Sequence, residues 1–143
     1  MRAIIIILVF AALPLIYLAL YVPRRLKFRL TPQTLVVRGD VLYGRTILRE
    51  ELDADHAEII SSMETGPYRL TLRLNGVGLP NYRSGWFSTA DKGKALVFAR
   101  PECSAVAIPT QNNYTLILCP QDPQQFLATL RTPGSQGDYH LAR

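Results

Sequence analysis

Residues 3–22 carry no charged side chain, and this apolar stretch constrains the chain more than any other feature. An α-helix of that length spans about 30 Å, which is the thickness of the hydrocarbon core of a bilayer. A cleaved export signal has a shorter apolar region followed by small residues, whereas large residues precede Pro23. We therefore predict a single N-terminal transmembrane helix, and an uncleaved export signal is the alternative.

Basic residues on the two sides of this stretch predict its orientation. Only Arg2 precedes it, whereas four cations follow it closely. Because Lys and Arg are enriched on the cytoplasmic side, we expect a single-pass protein of the cytoplasmic (inner) membrane with its C-terminal domain in the cytoplasm. The cations that follow the stretch lie at headgroup level and are candidate membrane-surface contacts. They are Arg24, Arg25, Lys27 and Arg29.

The chain of 143 residues leaves room for one compact domain after the anchor. We divide it into the anchor with its basic flank (residues 1–25), a β domain (residues 26–131) and a flexible polar tail (residues 132–143). The three arginines of the anchor account for +3 of the net charge of +5, which leaves +2 on the rest of the chain. We therefore expect no nucleic acid partner, because nucleic acid binding needs a clustered basic face on the domain itself.

Short alternating runs separated by turn residues predict that the domain is mainly β. In one of these runs, Leu70, Leu72 and Leu74 alternate with polar residues and are expected to form a buried face. The acidic segment 50–58 is expected to be a solvated loop or one helical turn. The expected strands are residues 27–30, 35–37, 41–48, 68–75, 94–99, 104–109 and 114–118.

A short helix is predicted after the last of these strands. Asp122 is placed to cap it, Pro123 suits its first position, and Gln125 can complete a capping box. A helix this short is marginal alone, so its apolar side, which carries Phe126, Leu127 and Leu130, is expected to close an open end of the β structure.

Residues 75–87 are rich in glycine and contain the only tryptophan, and we interpret them as a loop. The glycines match neither a dinucleotide fingerprint nor a P-loop. The segment is expected either to be pinned on the domain by its aromatic side chains or to contact a partner. The candidate partner-binding residues are Asn75, Gly76, Gly78, Leu79, Pro80, Tyr82, Arg83, Gly85 and Trp86.

Cys103 and Cys119 flank the last predicted hairpin. If its turn is residues 110–113, Pro109 faces Tyr114 and the two thiols fall on opposite faces of the sheet. A change of register by one residue would bring the thiols together. Free thiols agree with a cytoplasmic domain.

No catalytic or metal-binding arrangement stands out. His56 and His140 lie apart from each other and from the cysteines, without zinc spacing, and the acidic segment lacks the glycine of a calcium loop. We therefore predict a protein that is not an enzyme and that has no cofactor and no metal. The nucleophiles and paired carboxylates that an enzyme would use are Ser84, Ser88, Cys103, Cys119, Asp53, Asp55 and Glu58.

Several segments together resemble the bacterial PH-like (pleckstrin-homology-like) domain family. They are residues 75–87, 93–98 and 108–110, together with Tyr114 and the Asp122-Pro123 pair. The resemblance implies a PH-like barrel or sandwich of about seven antiparallel strands, closed by one C-terminal helix. Phosphoinositide binding is not implied, because the first hairpin turn, Thr31-Pro32-Gln33-Thr34, contains no cation.

These observations favour a non-enzymatic, membrane-tethered PH-like module that binds an unknown membrane or cytoplasmic protein, or a peptide, at the inner face of the membrane. The bilayer itself is a second partner, through residues 3–22. The alternative is a PH-like domain that contacts anionic lipid through the basic flank, with help from Arg69, Arg73 and Arg83.

Overall fold

The computed structural model describes residues 1–40 and 42–142, and at residues 18, 19 and 21–24 it describes the backbone alone. Within these residues, one long helix precedes two β-sheets and a second, short helix. The chain is therefore mainly β with a C-terminal helix, as the sequence predicts. It contains ten described strands, three more than the seven expected. Two of the additional strands are short and have no clear sequence pattern, and the third, Tyr82–Thr89, lies largely in the segment that was expected to be a loop.

The N-terminal helix α1 (Arg2–Arg25) covers the apolar stretch. Its described large apolar side chains are exposed, from 51 % at Ile16 to 70 % at Phe10, so they bury little surface against the domain. Among the described residues, no helix is long and apolar enough to cross a membrane.

The first sheet contains four antiparallel strands, and it confirms the predicted first hairpin. Phe28 and Leu30 are buried while Lys27 is exposed, as alternation requires. The predicted third strand begins at Arg45 instead of residue 41, and Val41 lies outside the described residues. In spatial order the strands are β10 (Gly137–His140), β1 (Lys27–Leu30), β2 (Thr34–Arg38) and β3 (Arg45–Leu48).

Strand β10 replaces much of the flexible tail predicted at residues 132–143. It pairs with β1 along its whole length, from Gly137 opposite Leu30 to His140 opposite Lys27. Tyr139 is buried, and its ring packs edge-on against Phe126 with centroids 5.1 Å apart. The segment is polar in composition, but one buried aromatic ring and a strand partner are enough to hold it on the domain.

The second sheet has six strands and contains most of the core. Its strands at Lys94–Ala99, Ala105–Pro109 and Thr115–Leu118 are buried on both faces. The first and last of these pair in parallel, so the expectation of antiparallel strands is wrong for that pair. The predicted strands at residues 94–99, 104–109 and 114–118 are confirmed to within one residue. In spatial order the strands are β4 (Glu58–Ile60), β8 (Ala105–Pro109), β9 (Thr115–Leu118), β7 (Lys94–Ala99), β6 (Tyr82–Thr89) and β5 (Leu70–Leu79).

Cys103 and Cys119 form a disulfide, so the predicted free thiols are a wrong expectation. Pro109 lies opposite Thr115 instead of Tyr114, because the turn between β8 and β9 contains one more residue than expected. That shift moves Cys103 to the face of Cys119. The longer turn is stabilised by a hydrogen bond of 2.7 Å from Thr110 Oγ1 to the carbonyl oxygen of Tyr114.

The helix α2 (Pro123–Arg131) has the predicted bounds and the predicted cap. Asp122 Oδ1 accepts a hydrogen bond of 3.0 Å from the backbone N–H of Gln125. Phe126, Leu127 and Leu130 are buried, as expected. The acidic segment 50–58 begins within a short 3-10 turn (Arg49–Glu51) and continues as a loop, which agrees with the prediction. Its last residue, Glu58, is the first residue of β4.

Candidate functional site

The predicted loop at residues 75–87 is instead a β-hairpin, formed by the end of β5 and most of β6 around a turn at Pro80 and Asn81. Gly76 lies opposite Gly85 and Gly78 lies opposite Arg83. The glycines therefore occupy strand positions, and the prediction of a loop is wrong. A glycine inside a strand often marks a place where a second backbone approaches closely, so glycine is not a signal for turns alone.

Close approach explains two of these glycines without a ligand. A Cβ atom at Gly76 would lie 2.5 Å from the carbonyl oxygen of Ser84, and one at Gly85 would lie 2.6 Å from that of Asn75. Gly85 also has a φ of +104°, a conformation that L side chains rarely adopt. The two glycines thus permit the tight pairing of β5 with β6.

Tyr82 is a structural residue of the hairpin and is only 2 % exposed. Its hydroxyl donates a hydrogen bond of 2.5 Å to Asp40 Oδ2, while Asp40 Oδ1 accepts from the N–H groups of Leu42 and Tyr43. Burial, and then the charge of Asp40, raises the pKa of Tyr82 well above its usual value. A partner therefore cannot reach Tyr82 without opening the domain.

Trp86 is half-buried and lies among two cations and an aromatic ring. The Tyr114 ring packs edge-on with centroids 5.0 Å apart, and Lys94 Nζ and Arg45 Cζ lie 4.4 and 5.4 Å from the Trp86 centroid. These contacts join β6 to β3, to β7 and to the residue that precedes β9. Trp86 therefore fixes the hairpin against the rest of the domain, which agrees with the interpretation of a segment pinned by its aromatic residues.

Strand β5 exposes two large apolar side chains that were expected to be buried. Leu72 is 61 % exposed and Leu74 is 49 % exposed. The register of β5 against β6 shifts between Leu70 and Leu72 and again between Arg73 and Asn75, and β5 is the terminal strand of its sheet. The leucines therefore lie beyond the part of the sheet that the core covers, and the prediction of a buried leucine face is wrong for both.

Exposed cations accompany these leucines. Arg69 and Arg73 are both exposed, and Arg73 Nη1 lies 3.4 Å from the position that a Cβ atom of Gly78 would occupy. In the described part of the chain the ion pairs are Arg29 with Asp138 and Asp53 with His56, so neither β5 arginine has a carboxylate partner there. We call Arg69, Leu72, Arg73 and Leu74 the β5 edge.

The basic flank is partly described. Arg25, Lys27 and Arg29 are exposed, and the side chain of Arg24 lies outside the described residues. Arg29 Nε donates a hydrogen bond of 2.8 Å to Asp138 Oδ1, so this cation is paired within the domain. The bond lowers the pKa of Asp138.

The candidate catalytic groups are not brought into one site. Ser84 is 1 % exposed, and both cysteines are oxidised to the disulfide and so are not nucleophilic thiols. His56 Nδ1 lies 2.8 Å from Asp53 Oδ2 on an exposed loop, and this hydrogen bond lowers the pKa of Asp53. Among residues 1–40 and 42–142, no group of three metal-ligating side chains is close enough to hold an ion.

Sequence analysis missed a small cleft beside the hairpin turn. Its volume is about 260 Å³, and Arg100, which lines it, has a buried Nε atom without a hydrogen-bond partner among the described residues. No local pattern distinguishes Arg100 from other surface arginines, so the sequence carries no signal for this cleft. The lining residues are Pro80, Asn81, Arg100, Pro101, Glu102 and Cys103.

A comparison with known proteins identifies the domain. A family model described as a bacterial PH domain matches residues 26–133, which is more than half of the chain. No curated protein and no solved structure matches the chain. The match begins just after α1 and ends just after α2, so it covers α2 and every described strand except β10. The chain therefore belongs to the bacterial PH domain family.

Proposed function

We propose that the protein is a non-enzymatic, membrane-tethered interaction module that binds an extended segment of another protein along the β5 edge. One observation carries this proposal: Leu72 and Leu74 are exposed on the terminal strand of a sheet. A terminal strand offers backbone N–H and C=O groups to an added strand, and exposed apolar side chains supply contact area for alternate residues of that strand.

The charges of the β5 edge favour a partner segment that alternates apolar and acidic residues. Arg69 and Arg73 have no carboxylate partner in the described chain, and an acidic segment would supply one. A second copy pairing through β5 would place arginines near arginines, which is unfavourable. We therefore propose a different protein as the partner, not a dimer.

The proposed tether is α1. Residues 3–22 of the full sequence are uncharged, and the described large apolar side chains of α1 are more than half exposed, so they suit an apolar surrounding better than water. The described residues of α1 alone are not long and apolar enough to cross a membrane. The proposed tether therefore depends on the complete sequence of the helix. Extraction of cell membranes with alkaline carbonate tests it: release of the protein would contradict an inserted helix.

For orientation we propose that the domain faces the cytoplasm, because the cations follow the apolar stretch. The Cys103–Cys119 disulfide supports the opposite side, since structural disulfides are typical of oxidising compartments. Protease treatment of spheroplasts decides between them. Protection of the C-terminal domain until lysis supports the cytoplasmic side, and digestion in intact spheroplasts contradicts it.

The binding proposal is tested by site-specific cross-linking in membranes. A photo-reactive residue at position 72 is expected to cross-link a partner, whereas the same residue at position 48 is not. Leu48 is the matched control because it is also exposed, at 46 %, and lies on β3, the terminal strand of the other sheet, where it is the one exposed large apolar side chain.

Charge variants sharpen the test. Leu72→Asp with Leu74→Asp is expected to weaken partner binding about tenfold, because apolar contacts at an interface centre carry much of its energy. Leu48→Asp is expected to leave binding unchanged. Equal cross-linking from positions 48 and 72, or full binding by the Leu72→Asp, Leu74→Asp protein, would show that the β5 edge is not the binding surface.

A further inference from the structure

Arg83 carries a buried hydrogen-bond donor that has no acceptor in the domain. The residue is half-buried on β6, and its Nε atom has no hydrogen-bond partner among the described residues. In that part of the chain Arg83 belongs to no ion pair. Because a buried donor without an acceptor is costly, the Arg83 guanidinium group is suited to an anion that comes from outside the domain.

A second cation lies on the same face of the hairpin. Gly78 on β5 is directly opposite Arg83, so the Cβ position of Gly78 and the side chain of Arg83 are on one face of the sheet. Arg73 Nη1 lies 3.4 Å from that Cβ position, and Arg73 Cδ lies 3.9 Å from it. The Arg73 side chain therefore lies over Gly78, beside the strand position of Arg83.

This face of the hairpin is open to solvent over β5. Tyr82 and Ser84, the neighbours of Arg83 on β6, are buried on the opposite face of the sheet. Arg73 and Gly78 are both exposed. A ligand can therefore approach the two arginines from outside without opening the core.

Close pairing of strands does not explain the glycine at position 78. Among the described residues, Arg73 alone has atoms within 4 Å of the Cβ position of Gly78, whereas Gly76 and Gly85 each meet backbone atoms at less than 3 Å. The missing side chain at Gly78 instead leaves space for the Arg73 guanidinium group. Two cations thus share one face, and neither has a carboxylate partner in the described chain.

We propose that Arg73 and Arg83 bind the carboxylate of a glutamate side chain in the partner segment, an inference that rests on the binding proposed for the β5 edge. A segment added to β5 lies about 4.8 Å from it and projects alternate side chains onto this face. Glutamate has one methylene group more than aspartate, so its carboxylate reaches over β5 into the space beside Gly78. Guanidinium N–H groups pair with carboxylate oxygens in a forked geometry. We call Arg73, Gly78 and Arg83 the glutamate site.

The test measures the binding of synthetic peptides to the full chain in non-ionic micelles. The probe is a nine-residue peptide that alternates threonine with leucine and has glutamate at its centre, and matched peptides have glutamine or aspartate there. Fluorescence anisotropy of the labelled peptides gives the affinities, with protein-free micelles as the baseline. We expect the glutamate peptide to bind about tenfold more tightly than the glutamine peptide and about threefold more tightly than the aspartate peptide, because its carboxylate makes charge-assisted hydrogen bonds at full reach.

A variant of Arg83 locates the site. Arg83→Gln is expected to reduce the preference for glutamate over glutamine from about tenfold to about twofold, through the loss of charge-assisted donors, and to leave the affinity for the glutamine peptide unchanged. Arg38→Gln is the control, because it removes the same charge from an exposed position at the end of β2 in the other sheet. It is expected to keep the preference of about tenfold. An unchanged preference in the Arg83→Gln protein would overturn the glutamate site.

A variant of Gly78 tests the geometry without a change of charge. The branched side chain of Gly78→Val takes the space in which the Arg73 guanidinium group lies, so the preference for glutamate is expected to fall to about twofold. Position 78 is exposed on a strand, where valine is favoured, so this protein is expected to fold. It replaces Arg83→Gln if thermal unfolding shows that the Arg83→Gln protein is not folded. A preference of about tenfold in the Gly78→Val protein would overturn the glutamate site.

The remaining outcomes separate the glutamate site from the β5 edge. Equal affinity for the glutamate, glutamine and aspartate peptides would overturn the glutamate site and leave the binding proposed for the β5 edge in place. Binding of none of the peptides above the baseline would contradict both. A further peptide has phosphoserine at its centre. Tighter binding of this peptide than of the glutamate peptide would identify a phosphopeptide site and overturn the assignment to a carboxylate.

Discussion

Arg49 Nη2 donates a hydrogen bond of 2.7 Å to the carbonyl oxygen of Thr129 near the end of α2. The same nitrogen donates to Thr132 at 2.9 Å, and Nη1 donates to Thr31 and Ser135 at 2.9 and 2.6 Å. The last carbonyl groups of a helix have no partner within the helix. One cation thus satisfies acceptors from the first hairpin, the end of α2 and the segment that leads to β10.

Replacement of Arg49 is expected to destabilise the domain strongly. Arg49→Gln should lower the free energy of unfolding by about 3 kcal/mol, because it leaves several carbonyl groups without a donor. Urea unfolding of the full chain in micelles, followed by far-UV circular dichroism, measures this change. Arg38→Gln is the control, since Arg38 is exposed at the end of β2, and it should cost less than about 0.5 kcal/mol. Equal stability of the two variants would contradict a bridging role for Arg49.

Gly85 is expected to tolerate alanine poorly, because the hairpin needs both its backbone conformation and its small size. A φ of +104° disfavours any Cβ, and that Cβ would lie 2.6 and 2.7 Å from backbone atoms of Asn75 and Gly76. Gly85→Ala should therefore cost about 3 kcal/mol or more in unfolding free energy.

Gly93→Ala is the matched control for Gly85→Ala. Gly93 also has a positive φ, +70°, but a Cβ there would meet nothing within 4 Å. Its replacement should cost only about 1–2 kcal/mol, the conformational penalty alone. The difference between the two variants measures how closely β5 and β6 approach, and equal costs would mean that the hairpin can relax around a methyl group.

Removal of the disulfide is expected to lower stability without changing the fold. The bond links residues 16 positions apart, and a closed loop of that size is worth about 3 kcal/mol through the entropy of the unfolded chain. Cys103→Ser with Cys119→Ser should show this loss in urea unfolding. Dithiothreitol should reproduce it in the natural chain and should leave the serine variant unchanged. A loss in the serine variant on addition of dithiothreitol would mean that reduction acts elsewhere.

Sequence patterns correctly predicted those strands and the helix that are determined by neighbouring residues in the chain. Alternation identified the first hairpin and strands β7 to β9, and the Asp122 cap identified α2 with its correct bounds. The resemblance to bacterial PH domains, carried mostly by residues 75 onward, is confirmed by the family match over residues 26–133. These features need only neighbouring residues to be recognised.

The errors concern features that depend on distant partners. Leu72 and Leu74 alternate with polar residues, a pattern that predicts a buried face. They are exposed because β5 is the terminal strand of its sheet, and the alternation of residues does not reveal the order of the strands. From their sequence neighbours Gly76 and Gly85 were predicted to be loop residues. They instead lie opposite each other on β5 and β6, where the lack of a side chain at each lets the two strands pair closely. Arg49 binds carbonyl groups about eighty positions away in the sequence, and Arg100 lines a cleft together with the distant residues Pro80 and Asn81. The sequence around either arginine therefore does not predict its role.

Alkaline pH is expected to unfold the domain through its buried tyrosines. Tyr68 is 5 % exposed, and burial, followed by its hydrogen bond with Glu58, raises its pKa to about 12, while the pKa of Tyr82 is raised for the reasons given above. The neutral phenol is thus favoured in the folded state. Its contribution is fully present below pH of about 10, the unfolded pKa, and is lost as pH rises through the folded pKa.

Urea unfolding between pH 8 and pH of about 12 measures this loss directly. The free energy of unfolding should be constant near pH 8 and should fall above pH of about 10. Tyr68→Phe removes one ionisable phenol and should make the decline shallower between pH of about 10 and 12, whatever it does to stability at pH 8. The absorbance of tyrosinate at about 295 nm should rise at a higher pH in the folded protein than in the unfolded protein. An equally steep decline in the Tyr68→Phe protein would mean that another group, and not the Tyr68 phenol, controls alkaline unfolding.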